Sequence, residues 1–388
     1  MAHEVPNERS IDEGVAQTQA DADVLFRVVN RVAVISLNRP TALNALSHGM
    51  VITLATLFER CRNDDEIVAV VLRGNGDKAF CAGGDVRALH EKVKSGSSEW
   101  LQFFVDEYQL NYVIHTFPKP VVALLDGITM GGGMGLGQGA KLRVVTNRTR
   151  MAMPETRIGL FPDVGATRFL SAMPVELELY VGLTGVTLSG ASALLCNLAD
   201  VCVPPEWLAT FEDRLQCMPV YADHGGAMAA LRRVFEPPVN VVAHAALSDV
   251  LPLVTRHFNA CWTVEEIVAS LNDALEREAS PEVRQWYRST SEALSTHSPT
   301  MLKVTRDALL RGRTMTLAEC FRMELDLMSR AVPDGDFVEG VRAQLIDKDG
   351  KPRWRPSTLD EVKEVHVRHF GSARWGAEAH PLAELGRR

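Results

Sequence analysis

Residues 79–85 read AFCAGGD, and they follow the short apolar run 67–72 (IVAVVL) by only a few positions. The run is rich in β-branched residues, which is typical of a strand that is covered on both faces. The adjacent Gly83 and Gly84 allow the backbone to approach a ligand closely and to point N–H groups outward. This stretch therefore predicts a buried strand followed by a ligand-binding turn.

A second glycine cluster extends from Gly127 to Gly139 and follows another apolar run, 121–125 (VVALL). Six of the nine residues 131–139 are glycine, a composition that destabilises a helix unless close packing or exposed amides require it. Two N–H groups from different loops are what an oxyanion hole needs. The alternative is that both clusters are tight turns with close packing.

The pattern along the chain predicts three parts and an α/β fold. Residues 1–23 lack periodicity, contain six acidic residues and one arginine, and predict a disordered acidic tail. Residues 24–220 alternate strands and helices and predict the core, whereas residues 221–388 lose the strand signals and predict a mainly helical lobe. The predicted strands are 24–29, 32–37, 67–72, 121–125, 142–146 and 199–203, and the main predicted helices, counted from any N-cap serine, are 47–61, 99–117, 257–288, 298–310 and 317–331.

Composition excludes several classes of function. The chain has 388 residues and a formal net charge of −8, which argues against a nucleic-acid partner because phosphates need a basic surface. No run approaches about 18 apolar residues, so no membrane span is predicted. The seven cysteines show no metal-ligand spacing, and no metal site or bound cofactor is expected. The acidic N-terminus resembles neither a secretory signal nor an arginine-rich transit peptide, which predicts a cytoplasmic protein.

Three carboxylates stand in unusual surroundings. Glu107 shares a face of its predicted helix with aromatic and aliphatic residues, so its pKa should be raised or it should have a specific partner. Glu155 follows the apolar stretch 151–154 (MAMP), and Asp163 lies within GLFPDVG at 159–165. The alternatives are a hydrogen-bonded structural glutamate at 107 and cap or turn residues at the other two positions, with Asp163 as a helix N-cap. Their shared apolar setting favours a functional site.

These motifs resemble those of the crotonase (enoyl-CoA hydratase/isomerase) superfamily. The later motifs narrow the resemblance to the superfamily's hydrolases of 3-hydroxyacyl-CoA thioesters. The resemblance covers about residues 24–365 and implies a crotonase-like spiral of ββα units with a mainly helical C-terminal region. The motifs that carry it are AFCAGGD at 79–85, KPVVA at 119–123, the triple glycine at 131–133, MAMPET at 151–156, IGLFPDVG at 158–165, DFVEGVRA at 336–343 and LIDKD at 345–349.

The resemblance also implies which residues form the site. The oxyanion hole would consist of the backbone N–H groups of Gly84 and Gly132, which would hold the thioester carbonyl oxygen. Glu155 would be the catalytic glutamate and Asp163 the active-site aspartate. The other substrate-binding residues would be Glu107, Gly83 and Asp85.

Two positions depart from the superfamily's patterns. Similar hydratases have a second catalytic glutamate two residues after the triple glycine, where this chain has Gly135. Hydration of a double bond resembles two-carboxylate chemistry, so hydratase activity is disfavoured while thioester hydrolysis remains open. Arg168 also differs from the small residues of related hydrolases, and its closeness to Asp163 in sequence predicts an altered acyl pocket.

The implied function is hydrolysis of the thioester of a short branched 3-hydroxyacyl-CoA, with 3-hydroxyisobutyryl-CoA of valine catabolism as the expected substrate. Glu155 would act as a general base toward water or attack the thioester directly. Asp163 would bind the 3-hydroxyl group or protonate the leaving thiol. Coenzyme A is part of the substrate, and the resemblance adds a homo-oligomer as a further expectation. The alternatives are an enoyl-CoA hydratase or isomerase and a catalytically silent CoA-binding protein.

Overall fold

The computed structural model describes residues 22–219, 224–237 and 244–387. The predicted tail 1–23 therefore lies almost wholly outside the described residues, and so does the predicted boundary at 220. The strands of the described residues are β1 Val24–Val29, β2 Val32–Leu37, β3 Ala69–Gly74, β4 Ala79–Cys81, β5 Val121–Leu125, β6 Ile128–Met130, β7 Leu142–Thr146, β8 Arg150–Ala152, β9 Leu188–Ser189 and β10 Val201–Val203.

The strands form two sheets. The larger has the order β1-β2-β3-β5-β7-β10 and is parallel except for the β1–β2 hairpin. The smaller has the order β4-β6-β8-β9, and only β8 and β9 are antiparallel. Every residue of β2 and β5 is buried. Burial on both faces explains why continuous apolar runs predict these strands with the correct bounds.

Several helices begin at a capping side chain, and two of these caps are predicted from the sequence. Ser47 accepts a hydrogen bond from the Met50 N–H, and Ser298 accepts one from the Met301 N–H, so both predicted N-caps are confirmed. The helices are α1 His48–Asn63, α2 Val86–Lys94, α3 Glu99–His115, α4 Gly132–Gln138, α5 Ala166–Phe169, α6 Val175–Thr184, α7 Gly190–Leu195, α8 Pro205–Ala209, α9 Phe211–Gln216, α10 His224–Phe235, α11 Ala246–His257, α12 Val264–Arg277, α13 Pro281–Thr296, α14 Pro299–Gly312, α15 Leu317–Asp334, α16 Phe337–Val341 and α17 Glu364–Gly371.

Successive units of the core repeat one arrangement. The pairs β3 and β4, β5 and β6, and β7 and β8 each place their first strand in the larger sheet and their second in the smaller one. Helices follow each pair, namely α2 and α3, then α4, then α5. This is the predicted ββα repetition, and it brings the turns after β4, β6 and β8 to one edge of the smaller sheet.

The C-terminal helices pack directly on this core. Tyr287 of α13 and Phe321 of α15 belong to the same hydrophobic cluster as Ile35 and Leu72 of the larger sheet. On the other face of that sheet, α9 and α10 form a second cluster with its strands. The division at 220 stays a prediction, while the hydrophobic core of the described residues runs across both predicted parts.

Some predicted bounds differ from the structure. Two strands begin two residues later than predicted, at Ala69 and Val201. The stretch 257–288 is divided, because α11 ends at His257 and a capping box at Thr263 starts α12. Ser280 then caps α13 in the same way as Ser298 caps α14. No strand follows β10 within the described residues, as the sequence predicts.

Candidate active site

The two glycine turns meet at one point of the fold. Leu46 forms an isolated parallel bridge with Gly84, in which the Leu46 N–H donates to Gly83 O and the Leu46 carbonyl accepts from the Asp85 N–H. This pairing turns the Gly84 N–H away from Leu46. Gly84 N lies 3.4 Å from the point that a Cβ on Gly132 would occupy. The structure therefore places the amide of Gly84 beside the first residue of α4.

Both of these amides are available to a ligand. Gly132 is the first residue of α4, and the first N–H groups of a helix have no acceptor within it. In the described part of the chain, neither the Gly84 nor the Gly132 N–H donates a hydrogen bond to another backbone group. Two neighbouring N–H groups from different turns can both donate to one oxygen atom, which is the arrangement that the sequence predicts.

Glu107 reaches this point from α3. Its side chain is 2% exposed, and its Oε1 atom has no hydrogen-bond partner among the described residues. A Cβ on Gly132 would overlap with that oxygen, so only glycine fits beside the carboxylate. Burial, and secondarily the charge of Asp163, raises the pKa of Glu107 well above its usual value. The raised pKa that the apolar helix face predicts is therefore present.

Glu155 lies at the turn that follows β8. It is 7% exposed, and its Oε1 atom lies 2.9 Å from the point that a Cβ on Gly131 would occupy. Its Oε2 atom is buried without a partner in the described structure. Burial first, and then the charges of Asp163 and Glu107, raises the pKa of Glu155 well above the ordinary value. This carboxylate is thus held at the glycine turn with one oxygen uncommitted.

Asp163 is the third carboxylate, and it has a specific donor. The Tyr108 hydroxyl donates to Asp163 Oδ2 over 2.6 Å, and both side chains are buried. Burial raises the pKa of Asp163 to about 6, while this hydrogen bond and one from the backbone act in the opposite direction. The N-cap interpretation of Asp163 is wrong. Helix α5 begins at Ala166 with Gly165 as its N-cap, because the Asp163 carboxylate turns toward Tyr108 instead.

The three carboxylates influence one another. The charge of Asp163 raises the pKa of both Glu107 and Glu155, and Glu107 also raises that of Glu155. Like charges in a buried site destabilise one another, so the protonation of each of these groups depends on that of the other two. Carboxyl groups whose pKa values are pushed apart are suited to acid and base roles in one reaction.

Other predicted residues lie at the edge of this site. The Asp85 carboxylate accepts from the Ala88 N–H as the N-cap of α2 and lies 3.2 Å from a guanidinium nitrogen of Arg39. The Gly83 N–H contacts the Cys81 sulfur at 3.4 Å. Substrate binding by Gly83 and Asp85 stays a prediction.

The expectation for Arg168 is wrong. Its side chain is exposed and contacts the Ser171 hydroxyl, so it does not reach the acyl pocket. The reason is that α5 begins two residues earlier and turns position 168 outward. Closeness in sequence to Asp163 does not give closeness to the site.

Gly135 packs against Asn111, one turn along α3 from Glu107. A Cβ on Gly135 would lie 2.7 Å from both Asn111 Nδ2 and Val164 Cβ. Asn111 is fully buried, and neither polar atom of its side chain has a partner among the described residues. The space that a side chain at 135 would need is therefore filled by a buried amide.

Three polar residues of this site are not predicted from the sequence: Tyr108, Asn111 and Glu324. Tyr108 and Asn111 lie close to Glu107 on α3, within the same aromatic helix face that singles out Glu107. Glu324 is fully buried on α15 and binds the backbone just after Asp163. The rule that a carboxylate on an apolar helix face is functional would have found Glu324 as well.

The described residues show neither a membrane-spanning helix nor a metal centre. No helix among them is both long and apolar enough to cross a bilayer. Within the same residues, no group of three or more His, Cys, Asp or Glu side chains could hold a metal ion. The candidate site consists of carboxylates, amides and one phenol.

Residues 32–370, which are most of the chain, match the sequence model of the enoyl-CoA hydratase/isomerase family. The chain belongs to the enoyl-CoA hydratase/isomerase family. The predicted resemblance to the crotonase superfamily is confirmed, and so is the predicted α/β fold with its helical C-terminal region.

Two relatives of this chain agree with the predicted resemblance to hydrolases of 3-hydroxyacyl-CoA thioesters. 3-Hydroxyisobutyryl-CoA hydrolase 1 of Arabidopsis thaliana is 39% identical over 358 residues, covering 90% of this chain and 92% of the relative. The mitochondrial 3-hydroxyisobutyryl-CoA hydrolase of Danio rerio is 40% identical over 354 residues, covering 90% and 89%. These relatives confirm the predicted similarity to hydrolases within the family.

A solved structure also covers nearly the whole chain. A carnitinyl-CoA dehydratase from Mycobacterium thermoresistibile superposes with a TM-score of 0.80 and 37% identity, over 91% of this chain and 97% of its own. The family fold therefore extends through the C-terminal helices. Two of these relatives are named as hydrolases and one as a dehydratase. The choice between the two reactions for this chain therefore depends on the residues of its site.

Proposed function

We propose that this family member hydrolyses the thioester of a short, branched 3-hydroxyacyl-CoA, 3-hydroxyisobutyryl-CoA of valine catabolism, to the free acid and coenzyme A. The proposal depends on one arrangement: two unpaired amides, at Gly84 and Gly132, lie beside the buried Glu155 and Glu107 carboxylates. The names of the Arabidopsis thaliana and Danio rerio relatives support the choice of acyl group.

The amides supply the electrostatic part of the reaction. When water or a carboxylate attacks the thioester carbon, negative charge develops on its carbonyl oxygen. The Gly84 and Gly132 N–H groups would donate to that oxygen, and each such donor contributes roughly 3–4 kcal/mol to transition-state stabilisation. Because both amides belong to rigid turns, they are oriented before the substrate arrives.

Glu155 supplies the attacking group in one of two ways. As a general base, it would take a proton from water while the water oxygen bonds to the thioester carbon and the C–S bond breaks. As a nucleophile, its carboxylate would bond to that carbon and expel the CoA thiolate, leaving a mixed anhydride that water then cleaves. Single turnover in oxygen-18 water separates the two, because the anhydride route alone can place label in the Glu155 carboxylate.

Asp163 and Glu107 act on the remaining parts of the substrate. Asp163 would bind the 3-hydroxyl group or give a proton to the leaving thiolate, and its pKa of about 6 suits either role near neutral pH. Glu107, with Oε1 uncommitted beside Gly132, would orient the acyl group.

The experiment measures thiol release from 3-hydroxyisobutyryl-CoA and from linear 3-hydroxyacyl-CoAs. Wild-type protein should prefer the branched substrate, and Glu155→Gln should lose about 100-fold or more of kcat because the attacking group is removed. Glu276→Gln, an exposed glutamate on α12, is the matched control and should be unchanged. Full turnover by Glu155→Gln contradicts the assigned role, and absence of thiol release by wild type contradicts the function.

The same assay tests the dehydratase and hydratase alternative, which the name of the Mycobacterium thermoresistibile relative brings forward. Absorbance of the conjugated enoyl thioester is followed with crotonyl-CoA beside thiol release. Because position 135 on α4 is glycine, the site lacks the second catalytic glutamate that similar hydratases have beside the one at Glu155. We therefore expect no hydration of crotonyl-CoA and no absorbance change. An absorbance change without thiol release would favour a lyase.

We further propose that no cofactor takes part beyond the CoA of the substrate, and that the enzyme works as a homo-oligomer. The cytoplasmic location remains a prediction, since the Danio rerio relative is mitochondrial by name. Size-exclusion chromatography with light scattering measures the oligomeric state. Subcellular fractionation of the full chain distinguishes the two compartments.

A further inference from the structure

Glu324 is a fully buried carboxylate that the proposed reaction does not use. It lies on α15, where Phe321 and Leu325 on the same helix are also fully buried. Its Oε2 atom accepts from the Gly165 N–H over 2.7 Å. Its Oε1 atom accepts from the Thr167 N–H over 3.1 Å and from the Thr167 hydroxyl over 2.6 Å. A buried carboxylate with three donors is a specific interaction, since an unpaired one would be strongly destabilising.

The donors belong to the start of α5, which has no cap of its own. Gly165 occupies the N-cap position with φ of +87°, a left-handed conformation that glycine adopts without strain, and it has no side chain to accept the first N–H groups. Glu324 instead accepts from the N–H groups of Gly165 and Thr167, and it lies 159 positions from Gly165 in the sequence. The C-terminal region thus provides the missing cap.

The capped segment begins immediately after Asp163. The Ala166 N–H donates to Asp163 O over 2.8 Å, which closes a tight turn. Val164 within this turn has φ of +54°, a conformation that costs energy for a β-branched residue and persists only when its surroundings hold it. Tyr108 holds the Asp163 side chain from one side, while Glu324 holds the backbone that follows from the other.

We propose that Glu324 is a positioning residue for Asp163: it fixes the turn 163–167 and thereby aims the Asp163 carboxylate into the site. This inference deepens the proposed function and rests on it. Glu324 itself does not touch the substrate, because all of its hydrogen bonds go to Gly165 and Thr167.

The groups around Glu324 agree with a role linked to Asp163. Tyr108 and Asp163 face it from the catalytic side, and Cys320 lies one turn away on its own helix. Burial raises the pKa of Glu324 to about 8, the hydrogen bonds from Thr167 and Gly165 act against that rise, and the charge of Asp163 adds to it. Among these groups there is no cation in contact with Glu324, so backbone and hydroxyl donors alone stabilise it.

The test uses variants at both ends of the interaction. Glu324→Gln keeps the shape of the side chain but places an amide N–H₂ against backbone N–H groups, and Thr167→Val removes the hydroxyl donor at nearly constant volume. Thr167→Ser restores that hydroxyl. Glu319→Gln is the matched control on α15, because an exposed capping-box glutamate can be replaced by glutamine.

Wild-type thiol release is measured first, so failure of the proposed function is seen separately, as an inactive wild type. Each variant is then assayed well below its own melting temperature, with KM and inhibition by free CoA as measures of binding. We expect Glu324→Gln to lower kcat about tenfold or more, and Thr167→Val to lower it less, with inhibition by free CoA within about twofold of wild type. A change in KM beside the loss of kcat would assign Asp163 to the 3-hydroxyl group. Thr167→Ser and Glu319→Gln should keep wild-type kcat.

Two results would overturn the proposal. One is wild-type kcat in a folded Glu324→Gln protein. The other is a Thr167→Val defect that Thr167→Ser does not restore, or that appears in inhibition by free CoA and not in turnover of the acyl-CoA. If Glu324→Gln does not fold, the Thr167 pair decides, because it changes one of the three hydrogen bonds and leaves the carboxylate in place.

Discussion

Tyr108 and Asp163 form a buried hydrogen bond of 2.6 Å across 55 positions of sequence, between helix α3 and the turn before α5. Short hydrogen bonds to a carboxylate favour its charged form, so this contact opposes the effect of burial on Asp163. The hydroxyl therefore controls the pH at which the carboxylate changes charge. It also joins the core of the fold to the site through the Asp163 carboxylate.

We expect Tyr108→Phe to move the pH dependence of thiol release. Without the donor, the pKa of Asp163 rises further above its present value of about 6. Whichever form of Asp163 is active, the limb of the pH–kcat profile that it controls should move to higher pH, by about one to two units for a hydrogen bond of about 1.5–3 kcal/mol. The profile is measured between pH 5 and about 9.

Tyr112→Phe is the matched control for that prediction. Tyr112 lies one turn further along α3, its ring also contacts Phe321, and no hydrogen bond to Asp163 is lost when its hydroxyl is removed. An unchanged profile for Tyr108→Phe, or an equal shift for Tyr112→Phe, would show that the 2.6 Å contact does not set the Asp163 pKa.

Asp163→Asn should stabilise the folded protein at alkaline pH. The pKa of Asp163 rises from 3.8 to about 6 on folding, so the folded state binds the proton more tightly and loses stability as pH rises through this window. Above the window the buried charge costs about 3 kcal/mol, and below pH 4 or so the cost disappears. The neutral amide avoids it throughout.

Urea denaturation at about pH 8 and about pH 4.5 measures this difference. The free energy of unfolding of Asp163→Asn should exceed that of wild type at the higher pH, with a smaller gap at the lower one. Asp65→Asn, an exposed substitution, should show almost no gap at either pH. A gap that stays constant or widens at low pH contradicts the linkage.

Gly132→Ala should reduce kcat by about 100-fold or more, the range seen when an oxyanion donor is lost. The new Cβ would overlap with Glu107 Oε1 and would stand 3.4 Å from Gly84 N. Thiol release measures the effect. Gly376→Ala is the control, because a Cβ there meets nothing within 4 Å, and equal activity of the two variants would exclude an oxyanion role for this turn.

Gly135→Glu should not create a hydratase. A Cβ at this position lies 2.7 Å from Asn111 Nδ2 and from Val164 Cβ, so the larger side chain would overpack the turn beside Asp163. We expect a loss of thiol release and a lower melting temperature, consistent with about 1–3 kcal/mol for overpacking a core. Loss of crotonyl-CoA absorbance by this variant is the outcome that contradicts the prediction.

Much of the fold could be predicted because its signals are local. Strands β1, β2, β5 and β7 have the predicted bounds. For β2 and β5, every residue of which is buried, the reason is that strands covered on both faces need continuous apolar runs. The caps at Ser47 and Ser298 are also local, as one hydroxyl satisfies an N–H three residues later. Glu107, Glu155 and Asp163 could be selected because each is a charge in an apolar setting, and the structure brings all three together.

The rest of the site depends on contacts between distant segments. Asp163 is not an N-cap because Tyr108, far away in sequence, takes its carboxylate. Glu324 takes over the capping of α5, and neither local pattern nor propensity contains that pairing. Asn111 could not be predicted for the same reason, because its buried amide is recognised as part of the site only from its contact with Gly135.

The contact between Gly165 and Glu324 also sets an order of events. The chain segment that bears Glu324 leaves the ribosome long after the turn 163–167, and contacts of large sequence separation form slowly during folding. The strands and glycine turns can therefore assemble while the start of α5 still lacks its acceptor. The enzyme gains its finished site only when its last third docks, so nascent or truncated chains would carry the motifs of the family without a completed turn at Asp163.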